Sequence, residues 1–313
     1  MSMFNVPEGA TLTIEDLQQA ADNKFEQDGD KNGNLAKLDY DGTTPSKLTY
    51  YVTDSTSSDT ATTETLFKHE VAINGAIVGT TAHSTMRLIN VRGGTFNLQS
   101  GVLTTTQDAN VGNLIYAETG STVNMSGGYV YGASIGSSGA GAGIHVEGST
   151  LEISDGVIAG NYAPSGGGVY ALNSTVNMAG GIISGNGTND NEVGYGAGIC
   201  AEDSMVTITN GYITNNKYQF STDEGHKGNG CHGGGGIAAF SHNQGQKKGG
   251  LVISGGYITG NYSAELAAAF MLALGINLFP GLRFMVESSP AMWRKTQRVA
   301  ASVSLRLQLA NLM

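Results

Sequence analysis

A chain of 313 residues is long enough for one extended domain or two compact ones, and 47 glycines with only 13% charged residues fit neither a helical bundle nor a disordered tail. The net charge of −10 leaves no basic face to neutralise phosphates, which argues against a nucleic-acid partner and suits an extracellular or cell-surface protein. Two cysteines cannot make a disulfide framework, so packing and backbone hydrogen bonds must hold the fold.

In chain order, residues 4–14 (FNVPEGATLTI) read as an opening strand pair around a turn; no signal peptide is legible at the start. A helix is expected next, from Ile14 to about Phe25. Thr13 and Asp16 resemble a capping box, and Ile14, Leu17, Ala21 and Phe25 share one face that would cap the first coil. Then comes Asp28-Gly29-Asp30-Lys31-Asn32-Gly33-Asn34, closed by Asp39. This stretch resembles an EF-hand or dockerin-like loop, with oxygen side chains at positions one, three and five and glycine at six. The resemblance implies calcium held by Asp28, Asp30, Asn32, Asn34 and Asp39 as a weak structural ion. The alternative is a solvated turn rich in Asp, Asn and Gly.

Six copies of a degenerate repeat follow, carrying the glycines Gly101, Gly128, Gly156, Gly181, Gly211 and Gly256 at spacings of 25 to 45 residues. Apolar residues alternate within each copy, which marks strands with one buried face. One inward column is Phe96, Val123, Leu151, Val176, Val206 and Leu251. A second is Leu98, Met125, Ile153, Met178, Ile208 and Ile253, and a third, after the glycine, is Leu103, Val130, Ile158, Ile183, Ile213 and Ile258. Neighbours such as Asn97, Thr207 and Ser184 should point outward. A further strand opens most copies, as in Gly143-Ile144-His145-Val146. Asn161, Asn186, Asn216 and Asn261 recur in register and predict a hydrogen-bonded ladder.

Residues 264–313 differ in kind, holding two of the 47 glycines and a charge of +3 against −13 for the rest. AELAAAFMLALGINLF (264–279) reads as a buried cap helix, short for a membrane span, with a strand possible at Val303, Leu305, Leu307 and Leu309. A truncated anchor or an out-of-frame extension are the other readings, and membrane association follows only from the anchor.

The expected fold is thus all-β: a parallel β-helix, a solenoid of three sheets, with an N-terminal capping helix and a C-terminal segment that a helix would explain. Its parts are 1–86 (cap and first coils, with helix and calcium-like loop), 87–263 (repeats) and 264–313 (atypical cap or extension). The GGGV, GAGI and GGGI openings with the IAGN, ISGN and ITGN closings resemble pectin-lyase-like right-handed parallel β-helices, especially bacterial surface adhesins and polymorphic outer-membrane proteins. That resemblance spans roughly Arg87 to Tyr262. It implies a secreted or surface module that acts in adhesion, binds a polysaccharide or a host or cell-surface protein, or serves as a structural spacer, and it is nearly silent about ligand.

Many proteins of this fold cleave acidic polysaccharides, so the alternative reading is a polysaccharide lyase or glycoside hydrolase, including a phage-tailspike-like depolymerase. No arginine stands between Arg92 and Arg283, which removes the base that lyase-type elimination commonly uses, and hydrolase clusters of aspartate are absent. The remaining candidate is Glu118, His145 and Glu147, with the two carboxyls on neighbouring strands about 5 Å apart, close enough for a retaining glycosidase. The simpler reading of the three is an ordinary acidic solvent face. For binding, Tyr116 and Tyr170 share one outward column and Tyr129, Tyr212 and Tyr257 another, with Tyr131 beside Tyr129. Such rings suit stacking on sugars or protein contact, though strand propensity also favours tyrosine. Cys200 and Cys231 fall in one enlarged copy flanked by His226 and His232, as free thiols, a disulfide or a metal pair.

Overall fold

In the computed structural model the described residues are 2–16, 23–27, 36–57, 62–80, 86–106, 112–136, 139–187, 195–218, 234–241, 249–263 and 270–273. They form an all-β protein dominated by two parallel sheets. The eight-stranded sheet runs Ser2–Pro7, Arg87–Arg92, Ile115–Glu118, Ile144–Glu147, Val169–Leu172, Ile199–Glu202, Ile237–Phe240, Phe270–Ala273. The twelve-stranded sheet runs Thr11–Ile14, Thr95–Leu98, Thr122–Tyr131, Thr150–Ala159, Thr175–Met178, Met205–Ile208, Gly250–Ile253. Flanking that path are Ile77–Gly79, Val102–Thr105, Ile182–Ser184, Tyr212–Thr214 and Tyr257–Thr259.

The alternation of the repeats becomes the register. Val123 lies level with Phe96 and Leu151, Met125 with Leu98 and Ile153, and Ile183 with Ile158 and Ile213. All three inward columns meet the inward residues of the eight-stranded sheet, such as Ile115, Ala117, Ile144 and Val146, in one continuous core. No repeat could bury these residues alone, so each is stabilised by its neighbours. The second and third columns do not lie on separate sheets as the sequence suggests, because Thr122–Tyr131 and Thr150–Ala159 run unbroken through the bend between them. At that bend glycine is required: Gly156 has φ +99°, and a Cβ there would come within 2.6 Å of the Gly127 carbonyl.

Two polar ladders run through the stack. Asn161, Asn186 and Asn216 each donate Nδ2 to the Oδ1 of the next asparagine at 3.1, 2.9 and 3.0 Å, ending on Asn261. The same Oδ1 atoms accept backbone N–H groups, so these buried amides leave no donor stranded. The second ladder was legible but overlooked: Ser121, Ser149, Ser174 and Ser204, one residue before each strand, accept the N–H of the preceding repeat.

The N-terminal helix is a correction. Thr11–Ile14 is a strand beside Thr95–Leu98, and Asn23–Gln27 is a strand of a separate antiparallel sheet, so both ends of the expected helix are extended. Leu12 and Ile14 fit the period of two as well as Ile14 and Leu17 fit the helical period, and pairing in register with Phe96 and Leu98 extends the core. Residues 4–14 supply two strands, but these join different parallel sheets instead of pairing with each other. Phe270–Ala273, inside the stretch read as a cap helix, is a strand parallel to Ile237–Phe240. The strand expected at 303–309 lies outside the described residues, among which no helix is long and apolar enough to cross a membrane.

The antiparallel sheet, in the order Asn23–Gln27, Thr62–Ala72, Thr44–Ser57, Ala36–Asp41, is the element that the repeats did not announce. Its face of Leu48, Tyr50, Val52 and Val71 packs on Val102, Tyr131, Val157 and Ala159, outside the twelve-stranded sheet. Residues Thr49, Tyr51 and Thr53 cross successive repeats. Thr49 O accepts from Tyr131 Oη at 2.6 Å, Tyr51 O from Ser184 Oγ and Asn215 Nδ2, and Thr53 O from Thr259 Oγ1. Ser184 therefore points away from the core as expected but is 0% exposed.

Candidate functional site

Glu118, His145 and Glu147 on one hand, and Tyr116 and Tyr170 on the other, are separate groups in the sequence reading, and the eight-stranded sheet brings them together on one outer face. Tyr116 lies level with Asn90 and His145, and His145 with Tyr170. Because parallel strands hold equivalent side chains side by side, the rings meet: Tyr116 stacks on His145 at 4.5 Å between centroids, and His145 packs on Tyr170 at 4.9 Å with the rings tilted by 52°. Arg87 closes the column, its guanidinium 3.3 Å from the centre of the Tyr116 ring. Both faces of Tyr116 are thus taken, and a sugar cannot stack there.

Two diagonal bonds tie a repeat to the next. Tyr116 Oη donates to Glu147 at 2.8 Å and Tyr170 Oη to Glu202 at 2.6 Å. Burial and the Glu147 carboxylate push the Tyr116 hydroxyl up to about 12, and the Tyr170 hydroxyl rises for the same reasons beside Glu202. Glu118, one position past the Ala117–Val146 pair and so beside Glu147, is held by three residues that sequence reasoning missed. Arg87 donates to it at 3.0 Å, Arg92 at 3.1 Å and Asn90 at 3.3 Å. Arg92 pairs with Glu118 because it precedes Gly93 as Glu147 precedes Gly148. Placing the strand Arg87–Arg92 on the repeat by that glycine would have found it.

Burial alone would raise the Glu118 pKa. Hydrogen bonds from Arg92 and Asn90 and the charges of both arginines outweigh it and hold the carboxyl below the usual glutamate range. That lowered pKa does not suit Glu118 to be the protonated general acid of a retaining glycosidase, and as the ionised nucleophile it would have both carboxylate oxygens already occupied by Arg87 and Arg92. His145 is also poorly placed for proton transfer. Burial lowers its pKa, Nδ1 lies 3.1 Å from the Ala140 carbonyl, and Nε2 is buried without a partner. What this face does offer is an open cleft of about 650 Å3 at the edge of the ladder. Glu8, Arg92, Tyr116, Glu118, Thr119 and Glu147 line it, a mixed-charge set of hydrogen-bonding groups.

The second tyrosine group is dispersed by the antiparallel sheet. Tyr131 is 1% exposed and spends its hydroxyl on Thr49, so it cannot meet a ligand from solvent. Tyr129 and Tyr212 pack half-buried against the same sheet. Tyr257, stacked on Tyr212 at 4.7 Å and 42% exposed, is the member of this group with a ring open to solvent.

Of the calcium set, Asp28, Asp30, Asn32 and Asn34 lie outside the described residues. Asp39 sits in the strand Ala36–Asp41 with ammonium groups of Lys37 and Lys47 on its two carboxylate oxygens, which hold its pKa below the usual range and do not fit a calcium ligand. Among the described residues no cluster of three or more His, Cys, Asp or Glu could hold a metal ion. Cys200 is a buried free thiol, with its pKa raised by burial; Cys231, His226 and His232 lie outside the described residues. No family model matches the chain, and no curated protein or solved structure matches it either.

Proposed function

We propose that the two parallel sheets wind as one parallel β-helix, and that the protein is a non-catalytic extracellular or cell-surface module. In this reading it binds a polysaccharide or a surface protein through the cleft beside Tyr116. The observation that carries it is the capture of Glu118 by Arg87, Arg92 and Asn90, with Glu147 accepting from Tyr116, which spends the candidate carboxyl pair on structure while leaving polar groups at the cleft rim. Recognition would run through hydrogen bonds to Glu8, Arg92, Thr119 and Glu147 instead of ring stacking, since the Tyr116 faces are occupied. The winding is supported by six repeats whose strands alternate between the two sheets in one register. Calcium belongs to this reading only as a structural ion on residues 28–34, with Asp39 outside the ligand set.

The deciding experiment is incubation with a panel of acidic and neutral polysaccharides, in calcium and in chelator, scored for chain cleavage and for binding. Binding without cleavage, weakened by Thr119→Lys at the rim, is the expected outcome. Cleavage abolished by Glu147→Gln would overturn the proposal in favour of a glycoside hydrolase.

A further inference from the structure

The cleft beside Tyr116 opens over the corner that follows each strand of the eight-stranded sheet. Gly93, Gly120 and Gly148 hold that corner in three successive repeats, all with left-handed backbone, at φ +80°, +84° and +57°. A Cβ built on Gly120 would meet nothing within 4 Å. The next two corners keep the same backbone but carry side chains, Asn173 at φ 49° and Asp203 at φ 48°. Asparagine or aspartate therefore satisfies this turn as glycine does, and what glycine adds at Gly93 and Gly120 is a bare floor beneath the cleft.

The side chains around that floor differ in what they have left to offer. Glu8 makes no hydrogen bond or ion pair among the described residues, and Glu147, which accepts from Tyr116 through Oε2, keeps Oε1 open. Glu118 is neutralised by Arg87 and Arg92. Arg92 spends Nε on Glu118, and its Nη groups remain as donors on a side chain that is 61% exposed. The carboxylates of Glu8, Glu118 and Glu147 thus face Arg92 in the lining and Arg87 over the Tyr116 ring, and the charge left uncompensated falls on the two carboxylates with open oxygens. An ammonium group has three donors and no acceptor, which matches such oxygens, whereas a uronate carboxylate would be repelled by them. Arg92 Nη and Thr119 Oγ1 remain to bond hydroxyl groups.

We infer that the cleft takes a polysaccharide of unacetylated amino sugars, with ammonium groups on Glu8 and Glu147 and neighbouring hydroxyls on Arg92 and Thr119. The inference rests on the cleft being the binding site, as proposed above, and adds the charge of the ligand. A lysine-rich protein segment carries the same cation on a flexible stem of methylenes, which gains most from an apolar wall. No aliphatic residue lines the cleft, and the Tyr116 ring is covered by Arg87 on one side and His145 on the other. An amine fixed directly to a hydroxylated ring fits this lining better.

The test is binding of the full chain to short oligomers of equal length at about pH 6, where glutamates are ionised and a sugar amine is protonated. The set is glucosamine, its N-acetylated form, galacturonate, and oligolysine as the peptide counterpart. The glucosamine oligomer should bind roughly tenfold more tightly than the acetylated one, with galacturonate weakest. Raising salt from about 0.02 M to about 0.5 M should shrink that ratio. Glu8→Gln, alone and with Glu147→Gln, should shrink it too, and the single change is the cleaner because Glu8 makes no bond to a described residue. Gly120→Asn, which gives this corner the residue that stands at 173, should weaken every sugar by filling the floor. Equal or tighter binding of the acetylated or galacturonate oligomer overturns the inference, and the cleft survives as the site if Gly120→Asn still weakens that binding. A preference for amine that persists in Glu8→Gln also overturns it, because the cation is then read elsewhere on a chain of net charge −10. Tighter binding of oligolysine than of glucosamine overturns it in favour of a basic protein partner. Sugars that bind without responding to Gly120→Asn, or no sugar binding at all, overturn the inference and the cleft reading together.

Discussion

The outer faces of the two parallel sheets are written by the same alternation of residues and meet different fates. On the eight-stranded sheet the outward column of Tyr116, His145 and Tyr170 is half-buried by mutual stacking and keeps its carboxylate partners at the surface. On the twelve-stranded sheet the outward residues Tyr131, Ala159 and Ser184 are roofed by the antiparallel sheet. Alternation within a repeat therefore settles which side chains enter the core, but whether an outward side chain meets water is decided by residues 36–57, far away in sequence.

The largest test of that contrast uses three aspartates. Ile183→Asp puts an unpaired charge in the central core, where Ile183 is 0% exposed, and should cost about 4 kcal/mol or more after relaxation. Ser184→Asp is its neighbour on the opposite face. Were that face open to solvent, the change would cost under about 0.5 kcal/mol. Because the antiparallel sheet covers it and Tyr51 O is its partner, about 2 to 3 kcal/mol is expected instead. Val252→Asp, outward and uncovered, should fall within about 0.5 kcal/mol of the parent. Denaturant midpoints measure all three; if Ser184→Asp melts like Val252→Asp, the roof over the twelve-stranded sheet is wrong.

The same contrast shows what the sequence could and could not reveal. Phe96, Leu98, Ile183 and the rest of the three columns were legible because a period of two repeated six times has one solution that buries them all. The asparagine ladder was legible because Asn161, Asn186, Asn216 and Asn261 share one offset from the inward column. Tyr131 and Ser184 could not be placed, since no local pattern announces that Thr49 and Tyr51 will lie across them. The helix at 14–25 failed because Ile14 satisfies both periods, and the choice fell to tertiary pairing with Leu98. Arg87 and Arg92 were overlooked as site residues because their strand stands before the first repeat glycine, though the Gly93 turn held the clue.

A smaller effect separates the faces by pH. On the eight-stranded sheet His145 is buried between two tyrosines, with Glu147 favouring its protonation and Arg87 opposing it; burial dominates, and the folded-state pKa lies below 6.5. The unfolded chain then binds the proton more readily than the folded one. The stability due to neutral His145 is complete above about pH 6.5 and is lost as pH falls from there to the folded-state pKa. Thermal melts from pH 8 to 5 should decline in the parent and decline less in His145→Phe. Equal slopes would mean that the imidazole is not held neutral between the rings. Glu118, with its depressed pKa, acts in a separate window, since its contribution is lost only below the ordinary glutamate range.

The smallest expected effect concerns Arg92, which sits at the solvent edge of the same ladder and binds Glu118 through Nε at 3.1 Å. Largely exposed ion pairs contribute little because water and salt screen them, so Arg92→Gln should change stability by about 0.5 kcal/mol or less. Its effect on titration should be easier to see. Arg92 is a principal cause of the low Glu118 pKa, and without it only Arg87 and Asn90 oppose the effect of burial. A carboxyl-carbon NMR titration should therefore show Glu118 moving upward toward the ordinary glutamate value in Arg92→Gln, with the melting temperature nearly unchanged. The matching substitution of Arg87 should do more than this, because Arg87 also covers the Tyr116 ring, so its loss opens the aromatic column as well as freeing the carboxylate. If Arg92→Gln leaves the Glu118 titration where it was, the hold on the carboxylate does not run through Arg92 and rests on Arg87 and Asn90 instead.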